Sequence, residues 1–205
     1  MDDSLQQRRA AWTASRFRPG ETGGLYESYF LRANHPERPL AFWIRHTVFS
    51  PQGRPDRAQG ELWAIWFDGE AQHIVAVKES LPIAECRFAP DNLDVRVGEA
   101  TLVDGRLEGR AASADHAVSW RLTFVGEAPP LLLLPKSMYS GGFPKAKALV
   151  TRPNALFTGT LTVDGREIAI DGWRGSQNHN WGSRHTDRYA WGQVAGFDNA
   201  PVRQK

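Results

Sequence analysis

The chain has 205 residues, 41% of them hydrophobic and 23% charged, a balance that suits a soluble globular domain able to bury a core. The formal net charge is only +2 and the basic residues are scattered, so the basic patch that a nucleic-acid partner requires is missing. One cysteine, Cys86, excludes an internal disulfide and a cysteine-based zinc cage within a single chain.

The first residues, "MDDSLQQRRAAW", carry acids where a secretory signal carries bases and lack an apolar segment, so the cytoplasm is the expected compartment. Residues 4 to 17 predict a short helix inside an N-terminal segment spanning 1–20. Ser4 is its N-cap, Leu5 and Trp12 share one face, and Pro19-Gly20 close it. Strand patterns follow in "AFWIRHTVF" (41–49), "ELWAIWFD" (61–68), "QHIVAVKE" (72–79) and "AVSWRLTFV" (117–125), all rich in β-branched and aromatic residues. Cys86 falls in "AECRFA", which reads as a strand. No electropositive partner beyond Arg87 stands beside it, so it reads as a small buried residue and not as a nucleophile. The longest apolar run, Leu131 to Leu134, is flanked by prolines and far too short to span a membrane. The surrounding "PPLLLLPKSMYSGGFPKAK" (129–147) reads as an ordered loop or lid, or as a strand followed by a flexible loop.

Asp68-Gly69, Asp104-Gly105 and Asp164-Gly165 separate strand-like runs, and Asp-Gly supplies the positive φ angles of tight hairpins. Successive hairpins without crossover helices predict an all-β antiparallel meander, closed as a barrel or packed as a sandwich. In "ELWAIWFD" both alternations are apolar: Leu62, Ala64 and Trp66 on one side, Trp63, Ile65 and Phe67 on the other. Such a strand lies in a thick core or borders an apolar ligand cavity. Phosphate loops, dinucleotide fingerprints, HExxH pairs and nucleophile elbows are all missing.

The densest stretch is "GSQNHNWGSRHTDRYAWGQ" (175–193). As a metal site it offers His179 and His185 with Asp171 or Asp187, at a spacing that matches no common ligand set, and no metal is expected. As a structural corner, Asn178, Asn180 and Gly182 set turns while Trp181 and Trp191 fill a barrel end. As a functional wall, His179 moves a proton near neutral pH and the asparagines orient a substrate or water. The last two readings are compatible.

The run "GSQNHNWGSRH…YAWGQVAGFD" resembles the His-Asn-Trp-Gly element of the AttH and carotenoid 1,2-hydratase family, and tocopherol cyclase carries a similar Asn-Trp-Gly. "ELWAIWFDGEAQHIVAVKES" and "LYESYFLRANHPERPLAFWIRHTVFSP" are similar to that family's early strands at the level of pattern. The resemblance implies a lipocalin-like (calycin) β-barrel over residues 21–187 that binds a hydrophobic, isoprenoid or lipid-like molecule. It implies hydration, cyclisation or isomerisation by protonation of a double bond, without a cofactor, or else carriage of the ligand without chemistry. Family members hold two such barrels in one longer chain. Residues 188–205 are therefore expected to be a final strand or the start of a second barrel, with a second lipocalin-like domain or self-association as the partner.

Candidate acids for that chemistry are His179, Asp171 and Glu79, with Glu85 a further carboxyl; burial would keep a carboxyl protonated at neutral pH. Candidate ligand-binding residues are Trp63, Trp66, Asn178, Asn180, Trp181, Tyr189, Trp191 and Gln193, whose rings would stabilise a cation and whose amides would orient the ligand.

Overall fold

The computed structural model describes residues 3–184 together with Ala190, Gly192 and Gln193. The candidates His185, Asp187, Tyr189 and Trp191 lie outside the described residues, as does most of 188–205. One helix, α1 (Asp3–Thr13), precedes a run of antiparallel strands. The first four are β1 (Leu25–Asn34), β2 (Leu40–Ser50), β3 (Gln59–Asp68) and β4 (His73–Pro82). A second meander comprises β5 (Cys86–Phe88), β6 (Asp94–Val97), β7 (Ala100–Val103), β8 (Arg106–Ala112) and β9 (Ala117–Val125). The short β10 (Leu131–Leu132) and the long hairpin β11 (Ala146–Val163) and β12 (Arg166–Gly182) complete the sheet.

Hydrogen bonding places the strands in the order β4-β3-β2-β1-β12-β11-β9-β8-β7-β6-β5, with β10 on β11. The two meanders are thus joined through the β11–β12 hairpin, whose last strand returns to β1. The sheet curls into a nearly closed lipocalin-like barrel. At the seam the Glu79 carboxylate of β4 accepts the Ala112 N–H of β8 at 2.6 Å.

α1 stops at Thr13, short of the residue 17 expected from sequence, because Ser15, Arg16 and Phe17 turn away to a buried acceptor described below. Of the three Asp-Gly pairs, two behave as predicted: Gly105 (φ 81°), and Asp164 with Gly165 (φ 49° and 83°), adopt positive φ. The third does not. Between β3 and β4 the left-handed residue is Gln72 (φ 51°), and Asp68 instead accepts the Ala71 N–H at 3.0 Å, making a longer turn.

The barrel interior is filled by rings. Phe42 meets Phe157 edge to face and stacks on Trp173, which tilts against Trp66. Trp66, Trp173, Phe42, Phe124 and Phe157 are all fully buried. The alternation in β3 therefore resolves cleanly: Leu62, Ala64 and Trp66 point inward, whereas Trp63 and Ile65 are half-buried and Phe67 is exposed on the outer face. Cys86 is half-buried against Gly60, and burial raises its thiol above the ordinary range, which suits a packed residue and not a nucleophile.

Candidate functional site

From Gly175 to Gly182, β12 is covered on both faces, unlike its exposed beginning. Successive side chains of a strand alternate, so the element divides in two. Gln177, His179 and Trp181 belong to the inward face with Glu27 and Tyr29 of β1. Ser176, Asn178, Asn180 and Gly182 belong to the outer face with Tyr26, Ser28 and Phe30.

On the inward face the His179 ring is fully buried. Its Nδ1 lies 2.7 Å from the Trp12 carbonyl oxygen and its Nε2 lies 2.9 Å from Oε1 of Glu27, itself fully buried. A carbonyl only accepts, so Nδ1 carries a proton, and one further proton is held between Nε2 and the carboxylate. Tyr29 stacks on the imidazole at 4.3 Å, and Trp181 covers its other side at 4.7 Å.

Glu27 also collects the Ser15 hydroxyl at 2.7 Å and the backbone N–H groups of Arg16 and Phe17 at 3.0 and 3.2 Å. Burial alone would raise its carboxyl. The hydrogen bond and charge of His179, with Ser15 and the Arg16 N–H, outweigh burial and hold it below the ordinary carboxylate range. Burial pushes the Tyr29 phenol well up, and Glu27 adds to that shift. Arg16 lies 4.2 Å above the Trp181 ring. This cluster ties the segment after α1 to the barrel wall.

On the outer face a cleft of about 480 Å³ opens between the sheet and the 129–147 loop. Its floor includes Ser28, Asn178 and Asn180, and its sides include Trp43, Arg45 and Leu134. Ser28 donates to Asn180 Oδ1 at 2.6 Å, and Asn178 donates to Ser176 at 2.8 Å, so the asparagines are fixed by neighbours on the same face. The loop is ordered: the Tyr139 hydroxyl receives the Leu133 and Leu134 N–H groups at 3.0 and 3.2 Å and donates to the Ala148 carbonyl at 2.8 Å. Tyr139 in turn packs edge-on against Trp12. Ala190 borders the cleft, and Gln193 accepts from Arg32 beside it.

Gly182 ends the signature because β11 passes directly over it. A Cβ there would run into the Lys145 carbonyl oxygen. Gly182→Ala is expected to cost about 1–3 kcal/mol by forcing the strands apart. The readout is a lower urea midpoint at an unchanged slope; an unchanged midpoint would show that this edge yields freely.

The candidates therefore separate into distinct places. Asn178 and Asn180 meet at the cleft. His179 and Trp181 border it, with their rings turned to the buried cluster. Trp63 lies further along the same outer face, and Trp66 is in the core. Asp171 is exposed near the far end of β12, and Glu79 is engaged at the seam. Sequence reasoning missed Glu27, Tyr29 and Arg45. An acid amid the aromatics of "LYESYF" was the available signal for the first.

Among the described residues no three His, Cys, Asp or Glu side chains gather as a metal set. Nor is any described helix long and apolar enough to cross a membrane.

No protein-family model matches the chain. Two uncharacterized Mycobacterium tuberculosis proteins, MT0513 and Rv0493c, are each 25% identical to it over 175 residues, covering 82% of this chain and 48% of theirs. The chain thus spans about half the length of the curated relatives it matches. Among solved structures, an AttH-type protein of Nitrosomonas europaea superposes with TM-score 0.60 at 16% identity, over 85% of this chain and 57% of its own. Kievitone hydratase of Nectria haematococca superposes with TM-score 0.52 at 14% identity, over 80% and 48%. These likenesses concern the fold: the chain folds as the lipocalin-like barrel that both structures share, in agreement with the resemblance carried by His179-Asn180-Trp181-Gly182.

Proposed function

We propose that this barrel binds a hydrophobic, isoprenoid or lipid-like small molecule in the outer cleft. The observation that carries the reading is the cleft itself: a concave, largely apolar site with a few fixed polar groups at its floor, of a size that takes a small ligand. The test is titration with all-trans-retinol, a neutral polyene, followed by quenching of tryptophan fluorescence. Saturable binding at roughly micromolar Kd is expected. Ala148→Trp, which fills the cleft from β11, is expected to weaken it at least tenfold. Absence of saturable binding, or indifference to that substitution, would overturn the reading.

A second reading rests on the outer face beyond the cleft. Phe49, Phe67 and Ile74 share that face and are 38%, 36% and 59% exposed. We infer a second lipocalin-like domain, or a second copy, as its cover, in keeping with relatives about twice as long. Hydration or cyclisation of the ligand, as the hydratase among the structural neighbours suggests, would draw its proton from His179, which borders the cleft, or from that cover, since no described residue lining the cleft bears a carboxyl group. Sedimentation of the isolated chain tests the copy. Self-association abolished by Phe67→Asp supports it, and a strict monomer at high concentration leaves the second domain as the occupant.

A further inference from the structure

We infer that the ligand of the outer cleft carries an oxyanion head, a carboxylate or phosphate, and that Arg45 receives it. The inference rests on the apolar-ligand reading and narrows it to a chemical class.

Arg45 stands on the cleft wall, midway along β2. Its guanidinium carbon lies 5.0 Å from the Trp43 ring centre and 4.9 Å from that of Trp63, with Tyr26 at 6.0 Å. These rings attract the guanidinium charge without accepting hydrogen bonds at its edge. Yet the edge is where all five N–H donors lie, in the plane that matches a carboxylate or phosphate two bonds at a time. Nε is buried and has no hydrogen-bond partner among the described residues, and no described carboxylate pairs with the group.

Two further charges near it are engaged elsewhere. Glu61, on the adjoining strand, is held by Lys78 at 2.7 Å and by the Trp63 indole N–H. Lys147, which also borders the cleft, spends its ammonium on the Gly141 and Pro144 carbonyls at 2.7 and 2.8 Å. The described lining is thus apolar and amide-rich, carries the cations Arg45, Lys147 and Arg184, and includes no carboxylate. An oxyanion head would be received at the terminal nitrogens of the guanidinium, since the buried Nε is out of a ligand's reach.

Isothermal titration of the purified chain with all-trans-retinol, all-trans-retinoic acid and farnesyl phosphate tests this. A net charged hydrogen bond corresponds to about a tenfold preference or more. The acid or the phosphate, whichever is the better match, is expected to bind at least tenfold tighter than retinol, and the preference should shrink as salt rises. Arg45→Met, which keeps an unbranched stem between the tryptophans, should bring all three ligands to the retinol value. Arg45→Lys should restore part of the preference. Equal affinities in the unaltered chain would overturn the inference while retaining the apolar cleft. A preference that survives Arg45→Met in a folded variant would overturn it as well. Failure of all three to bind would instead remove the cleft reading on which it rests.

Discussion

Replacing Glu27 by leucine is expected to lower the unfolding free energy by about 3–5 kcal/mol, the usual result of breaking a buried ion pair from one side. The cost follows from what one carboxylate satisfies: the His179 ring, the Ser15 hydroxyl and the N–H groups of Arg16 and Phe17. Three of these donors would lose their acceptor in a buried place, and the Phe17 N–H would keep only the Ser15 hydroxyl at 3.1 Å. The release should be local before it is global. Trypsin is expected to cut the chain after Arg16 far faster in the variant, because the segment after α1 loses its anchor while the strands stay paired. The double variant Glu27→Leu/His179→Leu should recover part of the loss, since two apolar groups in contact need no partners. Urea unfolding of the three proteins decides it. A loss below about 1 kcal/mol for Glu27→Leu would mean that the pair contributes little beyond packing.

The pair also has a direction in pH. Its surroundings hold the Glu27 carboxyl below the ordinary range. A depressed carboxyl contributes stability that is present above its unfolded value and is lost as pH falls through its folded value. Acid should therefore loosen the N-terminal anchor, and Glu27→Leu should abolish that share of the response.

Much of the barrel was legible because its signals are local. Period-two alternation located β2, β3, β4 and β9 within a few residues, and Asp-Gly marked two of the turns. The order of strands around the sheet was not legible, since it depends on the return of β12 to β1 across the whole chain. The same long-range pairing explains what happened to the signature. In sequence, His179 and Asn180 are neighbours and look like one site. In the sheet, alternation sends the imidazole to Glu27 and the amide to Ser28 on the opposite face. The partners of each lie 152 residues away, where no spacing rule connects them. Arg45 escaped notice for a similar reason. An arginine in the middle of an aromatic strand reads as an ordinary outward charge until Trp63, from the next strand, is found across from it.

His46 is expected to set most of the acid sensitivity of this fold. It sits on the inward face of β2 between Tyr29 and Leu62, fully buried, and neither ring nitrogen meets a hydrogen-bond partner among the described residues. Burial pushes it from 6.5 down to about 3, because a charged ring there would have neither water nor an anion. The unfolded chain takes up a proton near pH 6.5 that the folded chain refuses until about pH 3. Stability from this group is therefore complete above pH 6.5 and falls as pH drops, by ~5 kcal/mol across the whole interval. His46→Leu removes the titration and two unpaired nitrogens together. Its stability at pH 7 should equal or slightly exceed that of the unaltered chain. Between pH 6.5 and 4.5 its stability should be nearly flat where the unaltered chain declines, and below that interval only the carboxylate share, Glu27 included, should remain. Urea midpoints taken at half-unit steps of pH resolve the two. If the decline above pH 4.5 survives in His46→Leu, the ring finds a partner when it protonates, and the acid response must be assigned elsewhere in the barrel.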